Sequence, residues 1–244
     1  MLDSALFLRL TPLIFTLLWS SGWIVAGYSA LYADALTFLV VRYACAALAI
    51  TALALAMGAP WPKGRRAILD CVVTGVLIHA AYLGGVWWAV RHGLPAGISG
   101  LIAGLQPILT ALFAPMLIGV TFGSFYQKAR IVTADLRTVT ALQYIAALAV
   151  TLPLAFALEP MRIEWNLTMA LVLAWSVLAL SLGGIGLYLM MIRRGAISRV
   201  STFLYLVPAL VAVEAWILFG ETLTPIQIAG MALTIIGVAL ASRK

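Results

Sequence analysis

Apolar runs of about twenty residues recur along this chain, and short segments between them carry most of the charges. A run of this length matches the number of residues that an α-helix needs to cross the hydrocarbon core of a bilayer. Stretches such as Leu48 to Ala56 are apolar around the whole helix, whereas barrel strands alternate apolar and polar residues. We predict an all-α polytopic membrane protein of about eight spans, near Leu10–Leu31, Leu36–Met57, Ile68–Val90, Ile98–Tyr126, Thr138–Leu158, Leu167–Ile192, Val200–Phe219 and Ile226–Ala241.

The charges support this topology. Only 9% of the 244 residues are charged and 64% are hydrophobic, far from the balance of a soluble domain. The net charge of +7 comes from basic residues that lie mainly in the loops on one side of the predicted membrane. This distribution indicates the orientation of the spans in the membrane and argues against a nucleic-acid partner. Because basic loops stay cytoplasmic, both termini are predicted to be cytoplasmic. Eight spans place most basic residues on one side (Arg9, Lys63, Arg65, Arg66, Lys128, Arg130, Arg137, Arg193, Arg194, Arg199, Arg243, Lys244) and three on the other (Arg42, Arg91, Arg162).

Motifs for metals, cofactors or nucleotides are weak. Cys45 and Cys71 lie in or beside apolar spans without a CxxC pattern, so both are interpreted as small core residues. No GxxxxGK[ST] loop is present, which argues against an ATP-driven pump. We therefore expect no metal, no cofactor and no enzymatic role.

An internal repeat appears when the sequence is shifted by 101 positions. Prolines inside apolar spans are uncommon, so the pair Pro107 and Pro208, each followed by a matching glycine, carries most of the weight. Repeats of this kind build many secondary transporters, with the substrate site between the copies near the bilayer midplane. The other matched pairs are Gly22/Gly123, Asp34/Asp135, Thr37/Thr138, Tyr43/Tyr144, Ala46/Ala147, Gly85/Gly186 and Gly119/Gly220.

The two copies are unequal. We assign residues 1–119 to a truncated first copy of four helices and residues 120–244 to the second copy. In this register the chain lacks counterparts of Glu221–Lys244 and of Met1–Leu18, and the overlong run Ile98–Tyr126 joins what would be two helices. A plan of two inverted five-helix copies explains the pattern. Removing one helix and half of the next leaves every later loop on its proper side.

These motifs resemble the EamA-type family of the drug/metabolite transporter superfamily. The resemblance covers nearly the whole chain and implies ten helices in two inverted halves. It also implies export or exchange of small metabolites, amino acids or drugs across a bacterial inner membrane. The chain departs from the family pattern at Gly119–Val120, where an acidic residue and the fifth helix are usual. The matching stretches are Leu18-Trp19-Ser20-Ser21-Gly22, Leu36 to Arg42, Gly93 to Pro107, Leu206-Val207-Pro208, Phe219-Gly220-Glu221 and Gln227-Ile228-Ala229-Gly230.

Ionisable residues inside spans are functional candidates because burying a charge in a membrane is unfavourable. Glu214 is interpreted as a proton-coupling or cation-binding carboxylate, or as one that reaches interfacial water. Arg42 is either an interfacial residue that snorkels to phosphates or a fixed cation at the mouth of a cavity. His79, on one face with Tyr82, is a proton relay, a hydrogen-bond donor to substrate or a structural histidine between helices.

A cavity lined by aromatics, amides and hydroxyls would suit medium-sized, partly apolar solutes, although ordinary packing is the alternative for each aromatic residue. Pro107 and Pro208 are the predicted hinges. Trp61, Trp87 and Trp88 lie near span ends, where interfacial belts form. The predicted substrate-binding residues are Trp19, Trp23, His79, Tyr82, Gln106, Gln143, Tyr144, Tyr188, Tyr205 and Glu214.

The sequence therefore favours a permease or exporter that works by alternating access, with a small-molecule substrate and the lipid bilayer as partners. A truncated, transport-incompetent relative is the main alternative. A membrane-embedded enzyme is a weaker one, because His, Asp and Ser are scattered. A chain short of one helix would also gain from covering its exposed face with a second copy, so a homodimer is a further expectation.

Overall fold

The computed structural model describes residues 5–104, 126–127, 131, 134–193 and 204–241. Within these segments the chain is helical apart from short loops and one β-bridge between Ala33 and Ile163. The third and sixth helices each contain a central π-helical segment, Val76–Leu83 and Trp175–Gly183 respectively. The helices are α1 (Ala5–Tyr32), α2 (Ala35–Ala56), α3 (Arg65–Gly75, Val76–Leu83 and Gly84–Arg91), α4 (Ala96–Gly104), α5 (Leu136–Leu158), α6 (Leu167–Ala174, Trp175–Gly183 and Gly184–Arg193), α7 (Val207–Phe219) and α8 (Pro225–Ala241).

The prediction of an all-α polytopic membrane protein is confirmed. Among the described residues, five helices are long and apolar enough to cross a bilayer, and two shorter apolar helices, Val207–Phe219 and Pro225–Gly237, follow them. The predicted run Ile98–Tyr126 lies mostly outside the described residues, and so does its join at Gly119–Val120. The five long helices are Leu10–Tyr32, Ala35–Ala56, Arg65–Arg91, Leu136–Leu158 and Leu167–Leu187.

The centre of the bundle is the antiparallel pair α2 and α5. Small side chains line the contact, with Ala46 and Ala147 fully buried, so the two backbones approach closely. Each helix begins beside the end of the other. The Thr37 hydroxyl at the start of α2 donates to Glu159 just after α5 (2.8 Å), and the Thr138 hydroxyl at the start of α5 donates to the carbonyl of Pro60 just after α2 (2.9 Å).

The internal repeat has a structural counterpart. Shifting α2 by 101 positions reproduces the bounds of α5 to within a residue, and each helix is preceded by an aspartate, Asp34 or Asp135, in extended backbone conformation. The π-helical segments of α3 and α6 also correspond within two residues. Matching helices that pack antiparallel are what inverted copies require. The proposed boundary between residues 119 and 120 lies outside the described residues and stays a prediction.

The two ends of the bundle differ in the charges that they carry. At one end, Asp34 contacts the Arg91 guanidinium (3.8 Å) and accepts a hydrogen bond from the backbone N–H of Arg162 (2.9 Å); we call this the Asp34 end. At the other, the Arg137 guanidinium reaches the sulfur of Met57 (3.3 Å); we call this the Met57 end. The loop 57–64 and the start of α3 lie at the Met57 end, so the described basic loop residues are sorted as the sequence predicts.

Candidate functional site

A cluster of polar and aromatic side chains lies where α2, α3 and α5 meet. Tyr43 and Tyr144, which are equivalent residues of the two copies, place their ring centroids 5.7 Å apart. The His79 ring stacks on Tyr144 at 4.5 Å and lies 6.2 Å from Tyr43. Residues that the 101-position shift matches therefore meet where α2 packs on α5. We call this group the central cluster; its members are Arg42, Tyr43, His79, Trp87, Gln143 and Tyr144.

Both tyrosine hydroxyls of the central cluster contact π-helical segments. The Tyr43 hydroxyl donates to the backbone carbonyl of His79 (2.8 Å), in the π-helical part of α3. The Tyr144 hydroxyl shares a hydrogen bond with Ser181 (2.9 Å), in the π-helical part of α6. π-Helical turns shift the backbone hydrogen-bonding register and occur often at functional sites. The sequence analysis missed these segments because nothing in their apolar composition distinguishes them from α-helix.

Gln143 extends the central cluster toward the Met57 end. Its amide nitrogen donates to the Thr74 hydroxyl (2.9 Å) and to the side-chain oxygen of Gln127 (3.2 Å). The backbones are unusually close here, since a Cβ at Gly75 would lie 2.5 Å from the carbonyl oxygen of Gln143. One turn before Thr74, Asp70 accepts a 2.5 Å hydrogen bond from the Tyr126 hydroxyl. Polar contacts therefore run continuously from the middle of the bundle toward this end.

Two interfacial predictions are wrong. Arg42 is 5% exposed and does not snorkel to the surface; its guanidinium carbon lies 5.3 Å from the centroid of the Trp87 ring. Trp87 is 3% exposed and donates its indole N–H to the Ser29 hydroxyl (3.0 Å), so it is a core residue and does not belong to a belt. Both residues face inward because the last segment of α3, Gly84–Arg91, packs on α2 beside them.

Trp23 and Glu214 belong to a second polar contact, between α1 and α7. The Ser20 hydroxyl lies 2.6 Å from one oxygen of Glu214. The other carboxylate oxygen is buried and has no hydrogen-bond partner among the described residues. Trp23 packs on Val207 and Val211 of α7. Ser20 was not predicted as a site residue, although its position three residues before Trp23, on the same face of α1, could have indicated it.

The remaining predicted site residues are scattered. Trp19 is 50% exposed and stacks on Phe15, so it faces different surroundings from the buried Trp23. Tyr205 is also exposed, and Tyr82 is partly buried. Gln106, Pro107 and the side chain of Tyr188 lie outside the described residues.

Pro208 is not within a continuous helix. It lies in the first turn of α7, where the missing N–H breaks no helical hydrogen bond. Pro208, which was expected to kink a helix, therefore lies where α7 begins, after the turn at 205–206.

An apolar groove of about 760 Å³ opens between α1 and α6. The indole N–H of Trp175 spans the two helices and donates to the Ser21 hydroxyl (2.9 Å). The groove is lined by Ser21, Ile24, Val25, Tyr28, Leu171, Val172, Ala174, Trp175, Leu178 and Ala179. Among the described residues, no group of three or more His, Cys, Asp and Glu side chains is arranged to hold a metal ion.

Apolar helices long enough to cross a bilayer, with polar side chains enclosed between them, define an all-α polytopic membrane protein. The sequence pattern of the EamA-like transporter family matches residues 120–243, and the chain belongs to this family. The match covers the residues that the sequence analysis assigns to the second copy. No curated protein and no solved structure matches the chain. The protein is thus a membrane transporter of the drug/metabolite superfamily.

Proposed function

We propose that this protein is a secondary transporter that moves small metabolites, amino acids or drug-like compounds by alternating access between its two copies. The observation that carries the proposal is the pair Tyr43 and Tyr144, equivalent residues that meet ring against ring between antiparallel helices. Substrate sites of transporters with inverted repeats lie at such an interface. The central cluster offers aromatic faces with a few hydroxyl, amide and imidazole groups, which suits a partly apolar solute.

The contacts at the two ends of the bundle support alternating access. At the Asp34 end, Glu159 accepts hydrogen bonds from the first backbone N–H groups of α2, and Glu221 accepts from the N–H groups of Ala96 and Gly97 in α4 (2.8 and 3.0 Å). At the Met57 end, the hydrogen bond between Asp70 and Tyr126 joins α3 to the segment 126–127. Each end thus has a few polar contacts between separate elements, and such contacts can exchange with water when that end opens.

The alternative is a transport-incompetent relative. It is favoured by the register of the repeat, which lacks a counterpart of the final helix between the two copies. Loss of that helix would remove part of the support for one half of the bundle, while leaving the α2–α5 centre intact.

A flux assay separates the two. The purified chain is reconstituted in proteoliposomes beside a version with a fifth helix inserted after Gly119, and uptake of labelled aromatic amino acids and aromatic amines is measured. Transport by the natural chain above empty liposomes supports the proposal. Transport by the restored version alone would contradict it and support the incompetent relative.

The same flux assay tests the location of the site. Gln143→Leu keeps the size of the side chain but removes the amide that bonds Thr74 and Gln127. We expect flux to fall at least tenfold, because the pairing of α3 with α5 loses its polar contacts. Gln227→Leu, at the exposed start of α8, is the matched control and should leave flux unchanged. Equal flux in both variants would move the site away from the central cluster.

We further propose a bacterial inner-membrane location with both termini cytoplasmic. The support is the sorting of loop charges between the Asp34 end and the Met57 end. In this orientation the Asp34 end faces the periplasm. The homodimer remains a prediction.

A further inference from the structure

Arg42 is a buried cation without an anion beside it. It lies about two turns inside α2 from the Asp34 end and is 5% exposed. Its Nε and Nη1 atoms have no hydrogen-bond partner in the part of the chain that the structure describes. Contact with the face of Trp87 is favourable, but it satisfies none of the guanidinium N–H groups and compensates only part of the loss of hydration.

The acidic residues of the described segments do not neutralise Arg42. The ion pairs found there are Arg91 with Asp34 and Arg137 with Asp135. The other buried or partly buried carboxylates are engaged elsewhere: Asp70 with Tyr126, Glu159 with α2, Glu214 with Ser20 and Glu221 with α4. An isolated buried charge is strongly unfavourable unless something pairs with it.

A second unpartnered group lies on the facing helix. The Nδ1 atom of His79 is buried and has no hydrogen-bond partner in the described segments. His79 stacks on Tyr144 in the central cluster, and its ring centroid lies 6.2 Å from that of Tyr43, the residue that follows Arg42 in α2. The Nε and Nη1 atoms of Arg42 and the Nδ1 atom of His79, on neighbouring helices, are therefore all buried without a hydrogen-bond partner among the described residues.

We infer that Arg42 and His79 bind the carboxylate of a monoanionic solute whose apolar body lies against the aromatic rings of the central cluster. This inference rests on the proposed function and names its substrate class. The planar fork of a guanidinium matches the two oxygens of a carboxylate. One guanidinium beside a neutral imidazole balances a single negative charge, whereas a phosphate dianion would leave an unbalanced charge in an apolar interior.

The test is ligand-dependent thermal unfolding of the full chain in detergent, with three compounds that share one ring and chain length. These are 3-phenylpropionate, 3-phenylpropanamide and phenethylamine. A ligand that binds the folded state raises the melting temperature with its concentration. We expect the carboxylate alone to raise it, and inorganic phosphate at the same concentration to have no effect.

Variants assign the effect to Arg42. Arg42→Gln should weaken carboxylate binding roughly 100-fold, because two charge-assisted hydrogen bonds are lost. Arg42→Lys, which keeps the charge and loses the fork, should give an intermediate affinity. Arg162→Gln, an exposed arginine in the loop between α5 and α6, is the matched control and should bind like the natural chain.

Other results would overturn the inference. If Arg42 is only a structural cation, Arg42→Met should raise the melting temperature, and the carboxylate should have no effect on the natural chain. The melting temperature of the natural chain with and without the carboxylate tests the inference even if a variant fails to fold. The flux assay keeps the two proposals apart. If the carboxylate binds but no flux is measured, the proposed transport is contradicted and the inferred carboxylate site is not. If the amine is transported and its flux is unchanged in Arg42→Lys, the inferred carboxylate site is contradicted and the proposed transport is not.

Discussion

The hydroxyl of Tyr144 joins α5 to the π-helical part of α6. It bonds Ser181 of α6, and both residues are nearly fully buried. Ser181 keeps a second hydrogen bond to the carbonyl of Ser176 (3.0 Å), so removing the tyrosine oxygen leaves no stranded hydroxyl. The interaction can therefore be measured with little disturbance of the surroundings.

Tyr144→Phe should lower the free energy of unfolding by about 1 kcal/mol, the usual net contribution of one buried hydrogen bond. Thermal unfolding in detergent measures it. Tyr32→Phe, at the far end of α1, is the matched control and should change the melting temperature by less. A larger effect in the control would show that the Tyr144 hydroxyl is not a significant contact.

Glu221 offers a second prediction at the level of single residues. Its carboxylate accepts from two N–H groups that begin α4, where the helix dipole also favours negative charge. Glu221→Ala should destabilise the protein by about 1–2 kcal/mol, as loss of a helix cap does. Glu164→Ala, an exposed carboxylate at the same end, is the control. Equal melting temperatures for the two variants would contradict this role.

At the scale of the helices, the sequence predicted where the helices lie along the chain better than which of their faces pack against one another. The five long helices and the 101-residue repeat follow from apolar runs and matched residues such as Tyr43 and Tyr144. The inward orientation of Arg42 and Trp87 could not be predicted. Helices that are apolar on every side carry no periodic signal that tells a lipid-facing side from a protein-facing one. Of the predicted site residues, His79, Gln143 and Tyr144 lie together in the central cluster, whereas Trp19 and Tyr205 are exposed elsewhere.

Helix pairing is tested by two identical substitutions. A Cβ at Gly100 would lie 2.5 Å from the Val211 side chain, whereas Gly85 has no atom within 4 Å. Gly100→Ala should destabilise the α4–α7 contact by about 1–3 kcal/mol, the usual effect of overpacking. Gly85→Ala should be neutral or stabilising, because alanine favours the helix. Unfolding measurements that show the same sign for both would contradict the close approach of α4 to α7.

At the scale of the whole molecule, the two ends of the bundle should face different compartments. Single cysteines at Arg162 and Lys63 are introduced separately, with Cys45 and Cys71 changed to alanine. In intact bacterial cells, a membrane-impermeant maleimide should label Arg162→Cys directly and Lys63→Cys only after permeabilisation. The reverse pattern would contradict cytoplasmic termini, and labelling of both before permeabilisation would contradict the eight-span topology.

The reciprocal contacts between α2 and α5 also constrain the order of events during synthesis. The first N–H groups of α2 bond Glu159, 123 residues later in the chain. At about 5–20 residues per second, the ribosome needs roughly 6–25 s to reach that glutamate. For that interval the carboxylate of Glu159 is not available to these N–H groups. The contacts of α2 with α5 and with Glu159 therefore form only after α5 has been synthesised and inserted beside α2.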